Sequence, residues 1–259
     1  NYDEAAKYFK LAADKDSPDG IYNYSKMLQE GLGVNKDEEL SLEYLKKAAD
    51  GGQIDAMYDY GLILQKGEGV PLNEKESARY MKMAAERGHI NGMFNYATML
   101  KNGTGVEVDK RLASDYYKYA ADQGHVNSMF NYGLMVQKGN GIKQNKEEAA
   151  KYFQQSADSG LKVGQFKYGL ILRSGDGVPI NKIEAARYFK LASSQGDTDS
   201  MNNYGMMLQI GEGIEKNSSE ACRYFKMSSD NGSKVGMYKY GQMLKNGEGT
   251  PQDEELACE

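Results

Sequence analysis

The 259 residues include only two cysteines and two histidines. Two thiols exclude a disulfide-stapled scaffold, and two histidines argue against a histidine-built metal centre. No apolar run approaches the ~20 residues that a bilayer-spanning helix needs. No apolar signal-peptide core is present either, so no membrane insertion is expected. Basic charge is not in excess: 32 Lys and Arg stand against 37 Asp and Glu, a net charge of −5. Nucleic acid is therefore not an expected partner. Tyrosine is abundant, at 20 residues beside 7 phenylalanines, which is too aromatic for a disordered chain.

The tyrosines are periodic. Tyr24, Tyr60, Tyr96, Tyr132, Tyr168, Tyr204 and Tyr240 follow one another at intervals of 36 residues. Tyr8, Tyr44, Tyr80, Tyr116, Tyr152, Tyr188 and Tyr224 form a second series with the same step, and Gly33, Gly69, Gly105, Gly141, Gly177, Gly213 and Gly249 a third. An unbroken period of this length points to a stacked array. Within residues 53–88, Met57, Tyr60, Gly61 and Leu64 share one helical face, as do Ser77, Tyr80, Met81, Ala84 and Ala85. Each period therefore reads as a helical hairpin, with helix A over about 54–66 and helix B over about 74–87.

Punctuation supports this reading. Asp37, Asn73, Asp109, Asn145, Asn181, Asn217 and Asp253 are N-cap residues in the same register, as is Asn1. Glu76, Glu148, Glu184 and Glu220 stand three residues later and predict capping boxes. Gly52, Gly88, Gly124, Gly160, Gly196 and Gly232 suit left-handed helix ends, and Ser17-Pro18 an N-cap followed by proline at the first helical position. Counted from these caps, 1–16 is a lone helix B, full repeats occupy 17–52, 53–88, 89–124, 125–160, 161–196 and 197–232, and 233–259 is a partial repeat. Both ends cut through a repeat, and the chain reads as an excerpt of a longer array.

The recurring pattern Ala-x-x-Tyr-Phe-x-x-Ala-Ala-x-x-Gly, then Tyr-Gly-x-x-Leu-x-x-Gly-x-Gly-Val, resembles the Sel-1-like repeat, a relative of the tetratricopeptide repeat. The resemblance covers the whole chain. The family usually carries Trp in helix B, where this chain has Tyr80 and its equivalents. The resemblance implies an all-α fold, a right-handed α-α superhelix of 36-residue hairpins whose helices A line a concave groove. It also implies adaptor or scaffold work; the family supplies subunits of ER quality-control ligase complexes, chitin-synthase regulators and bacterial host-interaction factors.

On that arrangement the face of helix A beside Tyr60 looks into the groove. Position 58 and its equivalents read Tyr22, Tyr58, Phe94, Phe130, Phe166, Asn202 and Tyr238. Position 59 reads Asn23, Asp59, Asn95, Asn131, Lys167, Asn203 and Lys239; position 65 includes Arg173 and Lys245. Rings bind with little entropy loss, and Asn pairs with a peptide backbone through donor and acceptor together. The candidate groove residues are Tyr58, Phe94, Asn95, Phe130, Asn131, Phe166, Lys167, Arg173, Tyr238 and Lys239. The basic members point to an acidic peptide or a carboxylate. The competing reading places the position-58 rings in the packing between neighbouring helices A.

No catalytic, cofactor or metal residues are assigned. The Gly-x-Gly pairs follow no strand, so they are turns and not a nucleotide fingerprint. His89 and His125 sit one repeat apart, about 10 Å in stacked helices, too far to share a metal. Cys222 and Cys258 are separated in the same way, beyond the ~7 Å Cα limit for a disulfide. Ser159-Gly160-Leu161-Lys162 and Ser229-Asp230-Asn231 echo penicillin-binding serine motifs, but Ser159 falls at a helix end and no Lys-Thr-Gly follows. Free thiols favour a reducing, cytoplasmic compartment; sequons at Asn23, Asn102, Asn217 and Asn231 leave an ER-lumenal or secreted one open. The sequence thus reads as a non-enzymatic scaffold for a protein or peptide segment. An end-to-end self-assembling array and a regulatory region of a larger enzyme-containing polypeptide stand as alternatives.

Overall fold

The computed structural model describes residues 1–253. The described residues form fourteen α-helices and no strand: α1 (Tyr2–Ala13), α2 (Pro18–Glu30), α3 (Glu38–Asp50), α4 (Ile54–Lys66), α5 (Glu74–Glu86), α6 (Ile90–Asn102), α7 (Lys110–Asp122), α8 (Val126–Lys138), α9 (Lys146–Asp158), α10 (Lys162–Ser174), α11 (Lys182–Ser194), α12 (Thr198–Ile210), α13 (Ser218–Asp230) and α14 (Lys234–Asn246). Even numbers are helices A and odd numbers helices B. They belong to two compact units, Asn1–Ser128 and Met129 onward, the division falling inside α8. The helix B start expected after Asp253, and Cys258, lie outside the described residues.

The caps explain the boundaries. The Asn73 side-chain oxygen accepts from the Glu76 N–H at 3.1 Å, and Asp37, Asp109, Asn145, Asn181 and Asn217 cap their helices in the same way. The other half of the predicted capping box is different. The cap residue's own N–H donates to the last turn of helix A, as in Asn73 to Leu64 O at 2.9 Å and Asn181 to Leu172 O at 2.8 Å. The intervening Gly-x-Gly turn folds the chain back tightly enough for that bond. The carboxylates of Glu76 and Glu184 instead accept from Arg79 and Arg187, and Glu148 accepts from the Tyr132 hydroxyl.

The two tyrosine series are the two halves of one contact. Tyr24 meets Tyr44, Tyr60 meets Tyr80, and four further hairpins repeat the pair, with centroids 4.7–5.4 Å apart and planes at 74–89°. Each edge-to-face pair contributes ~0.5–1.5 kcal/mol beyond its burial. The hydroxyls of Tyr80 and Tyr188 reach the last residue of the preceding helix B, Asp50 at 2.6 Å and Asp158 at 2.5 Å. Burial, with the carboxylate beside each, pushes both phenols far above their ordinary range.

Glycine at position 61 lets the helices of one hairpin close. A Cβ on Gly61, Gly133, Gly169 or Gly205 would stand 2.8–3.0 Å from Met81, Phe153, Phe189 or Phe225. Registration between repeats falls to the second glycine of the turn. At Gly105 (φ +69°) a Cβ would lie 2.1 Å from the Glu74 carbonyl oxygen, at the first residue of the preceding helix B. Gly33, Gly177, Gly213 and Gly249 seat in the same way on Tyr2, Lys146, Lys182 and Ser218.

Candidate functional site

The position-58 rings are neither core nor free. Tyr22, Tyr58, Phe94, Phe130 and Phe166 are half-buried, whereas Tyr238 is 64% exposed. The three phenylalanines rest on their own hairpin's helix B, with Phe94 on Tyr117 at 5.8 Å, Phe130 on Phe153 at 5.7 Å and Phe166 on Phe189 at 6.1 Å. In the first unit the N-cap histidine of the following helix A adds a second ring. Tyr58 stacks on His89 at 4.4 Å, and Phe94 meets His125 at 4.9 Å with the planes tilted by 48°. The gap in the series is filled by polarity: Asn202 is 3% exposed and its amide donates to Ser233 Oγ at 2.9 Å.

The position-59 side chains stand beside these rings, and several tie successive helices A together. Asp59 accepts from the Tyr22 hydroxyl at 2.9 Å and pairs with Lys26 at 2.7 Å. Asn95 bonds the Tyr58 hydroxyl, and burial raises that phenol's pKa. Asn131 is half-buried on α8 beside Phe130. The Lys167 ammonium lies 5.7 Å from the Phe153 ring, close enough for cation–π attraction. Lys239 donates to Gln242 Oε1 at 3.5 Å, and Gln242 donates to the Tyr238 hydroxyl at 2.7 Å.

Arg173 behaves differently from its neighbours. Its guanidinium donates to Glu212 through Nε at 3.0 Å and Nη2 at 2.5 Å, and to Asn203 at 3.2 Å. Lys182 reaches the other Glu212 oxygen at 3.2 Å. The bond from Arg173 is the main cause holding the Glu212 carboxyl below its ordinary range. Gln137 donates to Asp176, paired with Lys146 at 2.8 Å, and Gln209 donates to Glu248, which also accepts from Ser218. Position 65 and the first residue of helix B thus hold the turn acid of the next repeat. These turn acids carried no signal within a single repeat, because their partners stand 30 and 39 residues away.

No three His, Cys, Asp or Glu side chains converge on a metal-sized site among the described residues. None of the described helices is long and apolar enough to cross a membrane. Cys222 is buried, which raises its thiol pKa.

The histidines are helix caps whose burial moves their titration downward. His89 Nδ1 accepts from the Gly92 N–H at 2.9 Å, and His125 Nδ1 from the Ser128 N–H at 3.2 Å. Burial lowers both pKa values; at His89 the Asp55 carboxylate, 3.5 Å away, opposes it. The native state therefore releases these protons more readily than the unfolded chain. Their contribution is fully present above the unfolded pKa of about 6.5 and is lost as pH falls below it. Asp176 and Glu212 are shifted below the ordinary carboxylate range, so their losses come at lower pH. The urea midpoint of the wild type should fall between pH 7.5 and 5.5. In a His89→Asn/His125→Asn protein, where Asn still caps, that fall should largely vanish. An equal fall in both proteins would place the titration elsewhere.

The Sel1 repeat model matches residues 1–17, 18–53, 54–89, 90–125, 126–161, 162–197, 198–233 and 234–259. Its units start one residue later than the cap-to-cap boundaries. A protective antigen of uropathogenic Escherichia coli displaying an SLR fold superposes with TM-score 0.92 at 27% identity, covering 99% of this chain. The chain spans about 55% of that antigen's length. A Sel1 repeat protein from Oxalobacter formigenes superposes with TM-score 0.78 at 23% identity, over 98% of this chain and 74% of its own. No curated protein matches the sequence significantly.

Proposed function

The chain belongs to the Sel1 repeat family, a scaffold fold commonly used in protein–protein interaction, and from that premise we propose that it is a non-enzymatic adaptor whose helices A capture a partner segment. One observation carries this reading. Phe94 in the first unit, and Phe130 and Phe166 in the second, each pack on a helix B ring and keep part of their surface exposed, Phe94 with His125 against it as well. Beside them stand Asn95, Asn131 and Lys167, with hydrogen-bonding or cationic heads. Rings already held in place lose little freedom on binding. Tyr58 adds to the set in the first unit, and Tyr238 and Lys239 to the set in the second. Arg173 is committed to Glu212, so a preference for acidic segments rests on Lys167 and Lys239.

The test is affinity capture with the full chain beside a Phe94→Ala/Asn95→Ala protein and a Phe130→Ala/Phe166→Ala protein. A partner bound through this face should be recovered at least tenfold less by one or both, at unchanged helicity. Equal recovery by all three would move binding to another surface.

A further inference from the structure

One junction is built differently from the others. At the other described junctions the first residue of the preceding helix B neutralises the turn acid, donates a hydroxyl hydrogen bond to it, as Ser218 does to Glu248, or faces an uncharged turn residue. Lys146 meets Asp176 and Lys182 meets Glu212, while Glu74 faces Thr104. Between repeats 1 and 2 the corresponding residues are Glu38 and Glu68, two carboxylates. Like charges there oppose docking. Glu38 instead pairs with Lys36 at 2.5 Å and Glu68 with Lys66 at 3.4 Å.

The backbone records the consequence. The glycines seated at other junctions would bring a Cβ within 2.1–2.6 Å of the preceding helix B backbone. At Gly69 only Leu42 Cδ1 lies within 4 Å, at 2.8 Å. Ile63 is only partly buried, although its equivalents Met27, Met99, Met135, Ile171, Met207 and Met243 are all buried, at 0–7% exposure. The turn stands off, and a cleft of about 1130 Å³ opens beneath it between α2, α3 and α4. Its apolar floor includes Leu42, Leu62, Ile63 and Val70.

The charge of the cleft selects its occupant. The lysines at its edge, Lys26, Lys36, Lys46 and Lys66, are all in ion pairs. Glu30, Glu39 and Glu43 line it without an ion pair among the described residues. Glu30 also ends α2, where the helix dipole disfavours a carboxylate. The surplus is anionic around an apolar floor. We infer that this junction docks a partner segment in which basic and apolar residues alternate, one cation entering between Glu38 and Glu68 in the role that Lys146 and Lys182 fill within the chain. Neither Phe94 nor Phe130 lines this cleft, so the Phe94 and Phe130 variants leave it unchanged.

The probe is a fluorescein-labelled heptapeptide, Leu-Arg-Val-Arg-Leu-Arg-Val, titrated into the full chain at low salt and read by polarisation. Two controls replace its arginines by glutamate or its apolar residues by serine. The arginine peptide should bind, and each control at least tenfold more weakly. Glu38→Lys restores the charge match of the other junctions; it should raise the melting temperature and weaken the peptide at least tenfold. Ile63→Ala should weaken the peptide at unchanged helicity while lowering the melting temperature. Equal binding of the arginine and glutamate peptides, or unchanged affinity in Glu38→Lys, would overturn the assignment.

Discussion

Alanine at Gly105 is expected to destabilise the first unit by about 3 kcal/mol or more, combining left-handed strain of ~1–2 kcal/mol with a clash against main chain. At φ +69° an L side chain is disfavoured whatever surrounds it. Here the new Cβ also falls 2.1 Å from Glu74 O and 2.4 Å from Glu74 C. Main-chain atoms in a capped helix cannot step aside, so the turn must lift. Gly69 provides the control, because it has a similar φ of +72° but meets only the end of a flexible leucine. Gly69→Ala should cost the strain alone, about 1–2 kcal/mol. Urea unfolding followed by circular dichroism gives both values, and amide exchange at 103–109 shows whether the turn has lifted. Equal costs at the two sites would mean that seating of the turn contributes nothing.

Phe189→Ala should cost the second unit about 3–5 kcal/mol. The ring is fully buried, flanked by Phe166 and lying over the bare backbone of Gly169. Gly169→Leu should also destabilise, by roughly 1–3 kcal/mol, because its Cβ would stand 2.8 Å from that ring. The combination should recover part of the loss, since the new leucine enters the space the ring vacates. A double-mutant cycle by urea denaturation should give a coupling of about 0.5–3 kcal/mol in that direction. Strict additivity would show that the glycine is not there to admit the ring.

Local features were legible in the sequence because their causes are local. The boundaries of α4 and α5 follow from apolar spacing, from Asn73 and from Gly88. Pairing of Tyr60 with Tyr80 was not stated by either series alone; it follows once the Gly-x-Gly turn folds one helix onto the other. The candidate site was legible only as a row of residue types. Position 58 could be read as groove or packing; the rings pack on their neighbours and keep part of their surface exposed. Arg173 read as a groove cation, yet its charge is spent on Glu212, more than one period away. The open junction was hidden for the same reason: Glu38 and Glu68 each suit their own repeat, and only stacking sets them opposite one another.

The reach of the contacts has a consequence for how the chain acquires its structure. Hairpin pairs such as Tyr60 and Tyr80 span 20 residues, and the clamp from Arg173 to Glu212 spans 39. Loop-closure entropy grows only logarithmically with such spans, so each added repeat meets much the same small cost as the one before. A ribosome delivering ~5–20 residues per second takes about 2–7 s to complete one 36-residue period, against the microseconds to milliseconds in which helical proteins of low contact order fold. Each hairpin can settle on its predecessor before the next emerges, so assembly proceeds from the N-terminal end and little apolar helix surface waits uncovered.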